Sequence, residues 1–379
     1  MSSVIGSTHD TSDNAGAGPK VMAPAFGRFF LPGPTEVRHD VLYAMTQQMI
    51  GHRGTDVEEM MARIAPRLQQ VFRTSNPVYS VTSSATGLME GGVRNAVRER
   101  VLCLVNGSFS ERFYKASVNS GITADKLEVP FGEYHRPDQL ADALKGGRYD
   151  LVTVVHSETS TGVLNPIREL AKVAHDSGDV AMVIDTVSSL AAGPVECEAW
   201  DLDYVLTGSQ KAMALPPGLA FCTANARVFE RARASNRRGL YFDLVEFDEY
   251  FRKHQTPNTP AVSLLYALDV QLDRMIAAGM DARWARHAQM AEATWSWAES
   301  RGLAIFAPAG YRSPGVSCIR MPKGKTGSHV AAAMRAKGFV IATGYGALKD
   351  DMVRIGHMGE HSLGEVEAVL EALGEVLDR

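Results

Sequence analysis

Short, almost wholly apolar runs alternate along this chain with segments of helical periodicity. LVTVVHSE at Leu151–Glu158 and AMVIDT at Ala181–Thr186 hold few polar residues, as expected of parallel strands that are buried on both faces. Similar runs occur at Val101–Gly107, Asp203–Gly208 and Leu219–Ala224. Strands that alternate with helices at this spacing indicate an α/β fold with crossover connections. We therefore predict a mainly parallel central sheet.

The pattern changes after about residue 226. Leu240–His254 is rich in aromatic and acidic residues, and the turn-dense loop Gln255–Pro260 follows it. Two long helical segments, Val262–Ala278 and Ala282–Arg301, then precede short strands that alternate with helices. A chain of 379 residues is long enough for two domains. We predict a disordered tail at residues 1–24, a large α/β domain at 25–260 and a small α+β domain at 261–379.

Composition excludes several classes of protein. A formal net charge of -4 gives no electrostatic reason to expect nucleic acid or an anionic membrane as partner. The four cysteines are isolated and lack metal-ligand spacing, which is typical of reduced thiols in a cytoplasmic protein. No apolar run is long enough to span a bilayer, and the first residues lack the features of a secretory signal. These observations predict a soluble cytoplasmic protein of enzyme size.

One lysine follows an apolar run in a setting that can change its chemistry. Lys211 lies in TGSQKAMALPPG at Thr207–Gly218, among small and apolar residues. Desolvation disfavours the ammonium form and lowers the pKa, and a neutral amine can form a Schiff base with a carbonyl group. For this residue taken alone, a side chain that extends from the end of a strand into solvent is the simpler interpretation.

A loop rich in hydroxyl groups lies between a predicted strand and a predicted helix over Leu88–Val97. Ser84, Ala85 and Thr86 occupy this loop. Because a helix N-terminus offers free backbone N–H groups and the positive end of the helix dipole, such a loop can bind phosphate. The alternative interpretation is an ordinary N-cap.

Three further residues suggest ligand binding. Asp185 ends a buried strand, where open α/β sheets bind ligands, and could pair with a protonated heterocyclic nitrogen or cap the next helix. Phe109 follows another strand and could stack on a flat ring or belong to the core. Arg354 lies in the apolar segment MVRIG and needs either a carboxylate ligand or a structural ion pair. HMGEH at His357–His361 resembles an inverted zinc motif, but Gly359 interrupts it, so no metal site is predicted.

These residues together match what pyridoxal 5′-phosphate requires. Its phosphate needs a helix N-terminus, its ring a stacking face, its pyridine nitrogen an anion and its aldehyde an amine. Thr86, Phe109, Asp185 and Lys211 follow successive strands in that order. The sequence therefore predicts a pyridoxal 5′-phosphate site at one edge of the sheet.

The chain also resembles a known family, the class V aminotransferases of pyridoxal phosphate fold type I, and within it the alanine/serine–glyoxylate (or pyruvate) branch. The resemblance covers nearly all of the chain from about Phe30 onward. It rests on PGPT (Pro32–Thr35), HSETSTGVLNP (His156–Pro166), VIDTVSSL (Val183–Leu190), TGSQKAMALPPG (Thr207–Gly218), TPNTP (Thr256–Pro260) and VRIGHMG (Val353–Gly359). It implies the fold of that family, with a mainly parallel central sheet in a large domain and a smaller α+β C-terminal domain.

The resemblance also implies roles for individual residues toward the cofactor. Lys211 would hold the cofactor as a Schiff base, Asp185 would pair with its pyridinium nitrogen, and Phe109 would stack on the ring, where relatives often carry Trp. Ser160 or Thr161 would face the 3′-oxygen side. The phosphate would be bound by Ser84, Ala85, Thr86 and Gln210.

Substrate binding and assembly follow from the same resemblance. Arg354 would bind the α-carboxylate of the substrate, and the backbone of Gly33, Pro34 and Thr35 would close over it. Thr256 and Thr259 would reach the phosphate of the neighbouring subunit in a homodimer with active sites at the interface. The side-chain pocket of the amino donor has three candidates, namely His52, Arg53 and Tyr345.

The implied activity is the transfer of an amino group from a small L-amino acid, alanine or serine, to a keto acid such as glyoxylate or pyruvate. A related transaminase for 2-aminoethylphosphonate, ureidoglycine or aspartate is an alternative, as is a lyase or racemase that also uses Lys211. A cysteine desulfurase is disfavoured because Cys318 lies in a predicted strand rather than a mobile loop. A cofactor-free binding scaffold is the non-enzyme alternative.

Overall fold

The computed structural model describes residues 25–378, so the predicted tail at residues 1–24 lies outside the described residues. The strands are β1 (Phe29–Phe30), β2 (Val78–Thr82), β3 (Arg100–Val105), β4 (Thr123–Glu128), β5 (Leu151–Val155), β6 (Ser157–Glu158), β7 (Val163–Leu164), β8 (Ala181–Asp185), β9 (Tyr204–Gly208), β10 (Leu219–Ala224), β11 (Val316–Arg320), β12 (Val340–Thr343) and β13 (Met352–Gly356). The helices are α1 (His39–Ala44), α2 (Thr55–Phe72), α3 (Ala85–Ala96), α4 (Ser108–Asn119), α5 (Pro137–Leu144), α6 (Ile167–Asp176), α7 (Ala226–Ala234), α8 (Leu244–Phe251), α9 (Val262–Ala278), α10 (Met280–Ser300), α11 (Gly327–Ala336) and α12 (Leu363–Leu377).

The larger sheet has the strand order β2-β10-β9-β8-β5-β3-β4. Its strands from β9 through β8, β5 and β3 to β4 run parallel, whereas β10 is antiparallel to both β9 and β2. β9 and β10 are joined directly by residues 209–218, without a crossover helix, and this short connection requires the antiparallel pairing. The prediction of a mainly parallel central sheet is confirmed.

Apolar side chains of the central strands pack on both faces of this sheet. In β8, Met182 and Ile184 belong to one buried cluster, whereas Ala181 and Val183 belong to the cluster on the opposite face. The alternation follows from the period of two along a strand, and it explains why the sequence of β8 is almost wholly apolar. Asp185, which ends β8, is therefore held at the edge of a sheet that is fixed from both sides.

The smaller sheet has the order β1-β12-β13-β11. β13 is antiparallel to both of its neighbours, and β1 pairs in parallel with β12. Helices α10, α11 and α12 pack on this sheet through a third apolar cluster, which confirms a smaller α+β unit after the central sheet. Phe29–Phe30 precedes the larger sheet in the chain but pairs in the smaller one, while the predicted boundary at residue 260 stays a prediction.

Some elements begin or end where the sequence did not predict. Helix α3 starts at Ala85, earlier than the predicted Leu88, because Ser84 takes the extended N-cap conformation. Helix α8 had no predicted counterpart, although the Asp243 carboxylate caps it by accepting from the N–H groups of Val245 and Glu246. None of the helices in residues 25–378 is long and apolar enough to cross a membrane.

Candidate active site

Lys211 lies in the turn between β9 and β10 and is only 7% exposed. Its Nζ donates a hydrogen bond to the carbonyl of Pro32. Gly33 adjoins the aliphatic part of the lysine so closely that a Cβ on this glycine would lie 2.5 Å from Lys211 Cδ. Burial and, to a smaller extent, the positive charge of Arg354 lower the pKa of Lys211 to about 8, against the opposing charges of Asp185 and Glu158.

The backbone around Lys211 is held by the segment that contains PGPT. The Thr35 N–H donates to the carbonyl of Gln210 (2.9 Å), and the Thr35 hydroxyl donates to the carbonyl of Lys211 (3.0 Å). The Lys211 carbonyl also accepts from the N–H of Ala214 (2.8 Å), whose φ of 54° lies in the left-handed region. The structure thus brings residues 33–35 against Lys211, while their predicted closure over the substrate stays a prediction.

The side chain of Lys211 faces a cavity of about 200 Å³. Part of its lining comes from residues that the sequence singled out, namely Ser84, Ala85, Thr86, Phe109, Asp185, Gln210 and Lys211. The rest comes from residues that sequence reasoning did not select, namely Met89, Arg112, Val155, Ser157, Thr159, Val187 and Ser188. The cavity therefore joins the N-terminus of α3 to the carboxyl ends of β5, β8 and β9.

Asp185 is buried at the end of β8, and the N–H of Val187 donates to its Oδ1 (2.7 Å). Burial raises the pKa of Asp185 to about 7, and the negative charge of Glu158 adds to this effect. The Val187 N–H and the charges of Lys211 and Arg112 act in the opposite direction. A cationic group bound against this carboxyl would favour its ionised form.

Phe109 lies in the first turn of α4, with its ring at the centre of the site. Its ring centroid lies 5.8 Å from Lys211 Nζ, 5.2 Å from the guanidinium carbon of Arg112 and 5.6 Å from the ring centroid of Tyr345. Two of these neighbours are cations over the aromatic face, an arrangement that favours an electron-rich ring at this position. Phe109 and Tyr345 together form an aromatic wall beside the lysine.

Glu158 holds Phe109 in place, and sequence reasoning missed it. The Glu158 carboxylate is fully buried and accepts from the N–H groups of Phe109 (3.1 Å) and Ser110 (2.9 Å) and from the Ser110 hydroxyl (3.0 Å). These N–H groups belong to the first turn of α4, where an anion is stabilised by the helix dipole. Nothing in the sequence links Glu158 to α4, because their contact depends on β5 and β3 being neighbours in the sheet.

Ser160 and Thr161 do not line the cavity. The Ser160 hydroxyl donates to Glu158 Oε1 (2.5 Å) and accepts from the N–H of Ser108 (3.0 Å), while the Thr161 hydroxyl donates to the carbonyl of Glu158 (3.4 Å). Thr159 lies in the cavity wall instead, where its hydroxyl is hydrogen-bonded to that of Ser188. From this segment, therefore, Ser157 and Thr159 line the cavity, whereas Ser160 and Thr161, the residues that the resemblance implied, do not.

Arg354 lies in β13 and is 8% exposed. Its Nε donates to the carbonyl of Thr343 (2.8 Å) and its Nη1 to the carbonyl of Thr159 (3.1 Å). Among residues 25–378, no carboxylate lies within 4.0 Å of this guanidinium, and burial lowers its pKa. A buried cation that is bonded only to neutral carbonyls is suited to binding an anion.

Thr256 and Thr259 are not brought to the Lys211 cavity within one chain. Both line a separate, very small cavity beside β2, and the Thr256 hydroxyl donates to the carbonyl of Asn258 (2.8 Å). Arg53 fixes the same loop by donating to the carbonyls of Thr256 (2.5 Å) and Pro257 (2.9 Å). Their predicted contact with a neighbouring subunit stays a prediction.

Comparison with known proteins identifies relatives of this chain. A family model described as aminotransferase class-V matches residues 93–362. An uncharacterized aminotransferase of Methanocaldococcus jannaschii is 37% identical over 348 residues, which cover 90% of each chain.

Two solved structures are similar over nearly their whole length. An aspartate aminotransferase of subgroup IV from Thermus thermophilus is 32% identical, with a TM-score of 0.86 and coverage of 93% of this chain and 99% of that one. An alanine–glyoxylate aminotransferase from Nostoc sp. is 27% identical, with a TM-score of 0.89 and coverage of 98% and 100%.

Proposed function

The chain belongs to the class-V aminotransferase family and is a pyridoxal phosphate-dependent transaminase, and we propose that it transfers the amino group of L-alanine or L-serine to glyoxylate or pyruvate. The observation that carries this proposal is that two buried basic side chains, Lys211 and Arg354, lie beside the same cavity. The Arg354 guanidinium lacks a carboxylate partner among the described residues. Lys211 faces the cavity, and Arg354 is bonded to the carbonyl of Thr159 in the cavity wall.

The residues of the cavity fit pyridoxal 5′-phosphate. The buried Asp185 carboxyl has no cation within 4.0 Å among the described residues, so a pyridinium nitrogen would supply the missing positive partner. The first N–H groups of α3, with Thr86 and Gln210, would hold the phosphate, and Phe109 would cover one ring face. When bound, the cofactor supplies a ring that withdraws electrons from the Cα of the amino acid.

Lys211 would carry the proton in this reaction. Because burial lowers its pKa to about 8, roughly a tenth of the free amine is neutral at pH 7, and a neutral amine can remove the proton from Cα. The same amine, once protonated, can return the proton to a neighbouring carbon. Asp185 would keep the pyridine nitrogen protonated, and the half-buried ring of Phe109 would limit access of water on one side of the cofactor.

Arg354 would bind the α-carboxylate of either substrate by two parallel hydrogen bonds. The turn at residues 33–35, which is bonded to the backbone of Lys211, would cover the bound substrate from the other side. Thr159 is our candidate for the contact with the 3′-oxygen of the cofactor, since this residue lines the cavity whereas Ser160 and Thr161 do not.

The charge of the cavity favours a small donor over aspartate, the substrate named for the Thermus enzyme. A donor with a second carboxylate needs a second cation beside Arg354. Among the described residues that line the cavity, Arg112 is the one arginine, and it lies next to Thr86 at the phosphate end (3.4 Å). Glyoxylate as acceptor is suggested by the name of the Nostoc enzyme.

A substrate panel tests this function directly. We expect L-alanine and L-serine to react with glyoxylate or pyruvate, and L-aspartate, aromatic amino acids and 2-oxoglutarate to react poorly, in an assay of keto acid and amino acid products. A preference for L-aspartate would contradict the proposed donor. The Lys211→Ala variant should lose turnover, and transamination at the rate of the wild type by this variant would contradict the role of Lys211.

Assembly and location are part of the same proposal. We propose a homodimer in which Thr256 and Thr259 of each chain contact the phosphate at the neighbouring site. The division into domains at residue 260 is proposed on the same basis, with Phe29–Phe30 added to the smaller sheet. The cysteines Cys103, Cys197, Cys222 and Cys318 are all free and buried, which supports a cytoplasmic location.

A further inference from the structure

Arg283, in α10, is the largest fully buried side chain of the described residues and is only 2% exposed. Its Nη1 forms an ion pair with Glu360 Oε1 (2.6 Å), and the amide of Gln271 donates to the same oxygen (2.9 Å). A buried ion pair loses much hydration and often contributes little to stability relative to apolar side chains. The remaining contacts of Arg283 therefore need a separate explanation.

The other terminal nitrogen of Arg283 bonds to the backbone on both sides of the candidate site. Its Nη2 donates to the carbonyl of Ala212 (2.5 Å), which follows Lys211 in the chain, and to the carbonyl of Gly359 (3.2 Å). Gly359 follows β13, the strand that carries Arg354. One guanidinium thus connects the lysine turn to the end of the arginine strand.

Neighbouring residues of α10 hold the same glycine. Arg286 Nη2 donates to the Gly359 carbonyl (2.8 Å), and the Gly359 N–H donates to His287 Nε2 (3.0 Å). Gly359 has a φ of 101°, and a Cβ there would lie 3.4 Å from the hydroxyl oxygen of Thr35. The end of β13, helix α10 and the turn that covers Lys211 therefore pack as one unit.

The lysine turn needs such support. Ala214 adopts a left-handed backbone conformation that is unfavourable for residues other than glycine, and it persists only where the surroundings fix it. Thr35 fixes the carbonyls of Gln210 and Lys211, and Arg283 fixes the next carbonyl, that of Ala212. Of the two side chains, Thr35 and Arg283, only Arg283 also donates a hydrogen bond to the segment that follows β13, the strand of Arg354.

We propose that Arg283 is a positioning residue that sets the distance between the Lys211 amine and the Arg354 guanidinium. This inference rests on the proposed function, because the amino group and the carboxylate of an α-amino acid are attached to one carbon. The two protein groups that act on them must therefore keep a fixed separation. A small displacement of the lysine turn relative to β13 would misalign the amine with the Cα proton.

Two variants separate positioning from a purely structural role. Arg283→Met leaves Glu360 buried without its cation, so it should destabilise the fold. Arg283→Met with Glu360→Gln removes both charges and keeps an oxygen for Gln271, so stability should largely return. The bonds to the carbonyls of Ala212 and Gly359 remain absent in both variants. A positioning role thus predicts that the double variant regains stability without regaining activity.

Arg231→Met is the matched control. Arg231 is also buried, donates to the carbonyls of Ala96 (3.2 Å) and Asp150 (2.6 Å), and pairs with the carboxylate of Asp179 (2.7 Å). None of these residues lines the Lys211 cavity. The variant should lose stability while kcat and KM of the folded enzyme stay at the values of the wild type.

The measurements are the urea midpoint, the half-saturating concentration of pyridoxal 5′-phosphate from absorbance titration of the cofactor-free protein, and kcat and KM for L-alanine. We expect the double variant to lose about tenfold to a hundredfold in kcat and to need more cofactor for half-saturation. Values equal to the wild type in the double variant, or the same losses in Arg231→Met, would overturn the inference. If the wild type binds the cofactor without transferring amino groups, the proposed function fails, while the cofactor titration still tests Arg283.

Discussion

Lys211 is the residue whose surroundings depart furthest from those of an ordinary lysine. Burial, and next the charge of Arg354, lower its pKa to about 8 from 10.5. We predict that the rate at which pyridoxal 5′-phosphate binds to the cofactor-free protein rises with pH and is half-maximal near pH 8, because the neutral amine is the reactive form. Stopped-flow absorbance over a pH series measures this rate.

The Arg354→Met variant is the internal comparison for that experiment. Since the guanidinium lowers the pKa of Lys211, its removal should move the half-maximal rate to higher pH. A wild-type profile that rises only near pH 10.5 would contradict the burial of the amine. An unchanged pH profile of the binding rate in the variant would contradict the effect of the Arg354 charge on the pKa of Lys211.

Asp185 has a raised pKa, which predicts a change of stability with pH. Burial raises its pKa from 3.8 to about 7, so between these values the folded protein holds a proton that the unfolded chain has released. This contribution to stability is present at low pH and is lost as pH rises through about 7. Relative to Asp185→Asn, the cofactor-free wild type should lose up to about 1.4 kcal/mol of unfolding free energy per pH unit in that window.

Urea unfolding of both proteins at pH 5 and pH 8 measures the difference. Only the change between wild type and variant is compared, which removes the contribution of groups that do not interact with Asp185; Lys211, which does interact with it, is replaced by Met in both proteins of a second pair. A difference that stays constant with pH, or that favours the wild type more at pH 8, would show that Asp185 is already ionised in the cofactor-free fold.

The site residues that the sequence predicted and those that it did not differ in how the fold determines their position. Lys211, Asp185 and Phe109 each follow a predicted strand, so their approach to one edge follows from the sheet alone. Glu158 and Arg283 act through contacts between segments far apart in the chain, and their neighbours in sequence carry no sign of the partner. The role of such a buried charge becomes recognisable only when its hydrogen-bond partners are known.

At the scale of elements, the turn at residues 33–35 leaves no room for added volume beside Lys211. Gly33 has a φ of 109°, and an added Cβ would lie 2.5 Å from Lys211 Cδ. We predict that Gly33→Ala displaces the lysine and raises the half-saturating concentration of pyridoxal 5′-phosphate by about tenfold or more. Absorbance titration of the cofactor-free variant measures this change.

Gly178→Ala is the control for backbone strain. Gly178 has a φ of 122°, but an added Cβ there would meet nothing within 4 Å. Both variants should lower the urea midpoint, whereas only Gly33→Ala should weaken cofactor binding. If the two variants bind the cofactor equally well, the close approach of Gly33 to Lys211 has no functional consequence.

Long periodic elements were predicted well, and short ones were not. Helix α9 and strand β10 have the bounds that the sequence indicated, because each carries a full hydrophobic pattern. The two-residue strands β1, β6 and β7 hold too few residues for any periodicity, and they exist only through their pairing partners. The start of α3 was missed because Ser84 and Ala85 resemble a loop in sequence.

At the scale of the whole molecule, two of the predicted cofactor-binding residues do not lie at the Lys211 cavity of their own chain. Thr256 and Thr259 lie outside the Lys211 cavity, on a loop beside β2. Large apolar side chains are exposed on the described chain, among them Leu240 (87%) and Tyr43 (69%), and a second copy could cover such surface. In a two-fold symmetric dimer, the same surface of each chain contacts the other chain. The two threonines of each chain would therefore contact the phosphate bound in the neighbouring subunit.

Subunit complementation tests this arrangement. The Lys211→Ala chain keeps its threonines, and a chain with Thr256→Ala and Thr259→Ala keeps its lysine. In a mixed dimer, the lysine of the second chain meets the threonines of the first, so one complete site forms. We predict that mixing the two variants after reversible dissociation, at limiting pyridoxal 5′-phosphate, restores transamination above the sum of the separate variants.

The control mixture pairs Lys211→Ala with Arg354→Met. Lys211 and Arg354 belong to the same site within one chain, since Arg354 bonds to the carbonyl of Thr159 in the wall of the Lys211 cavity. Every site in this mixed dimer therefore lacks one of the two residues, and activity should not recover. Equal recovery in both mixtures, or none in the first although mixed dimers form, would show that Thr256 and Thr259 do not serve the neighbouring site.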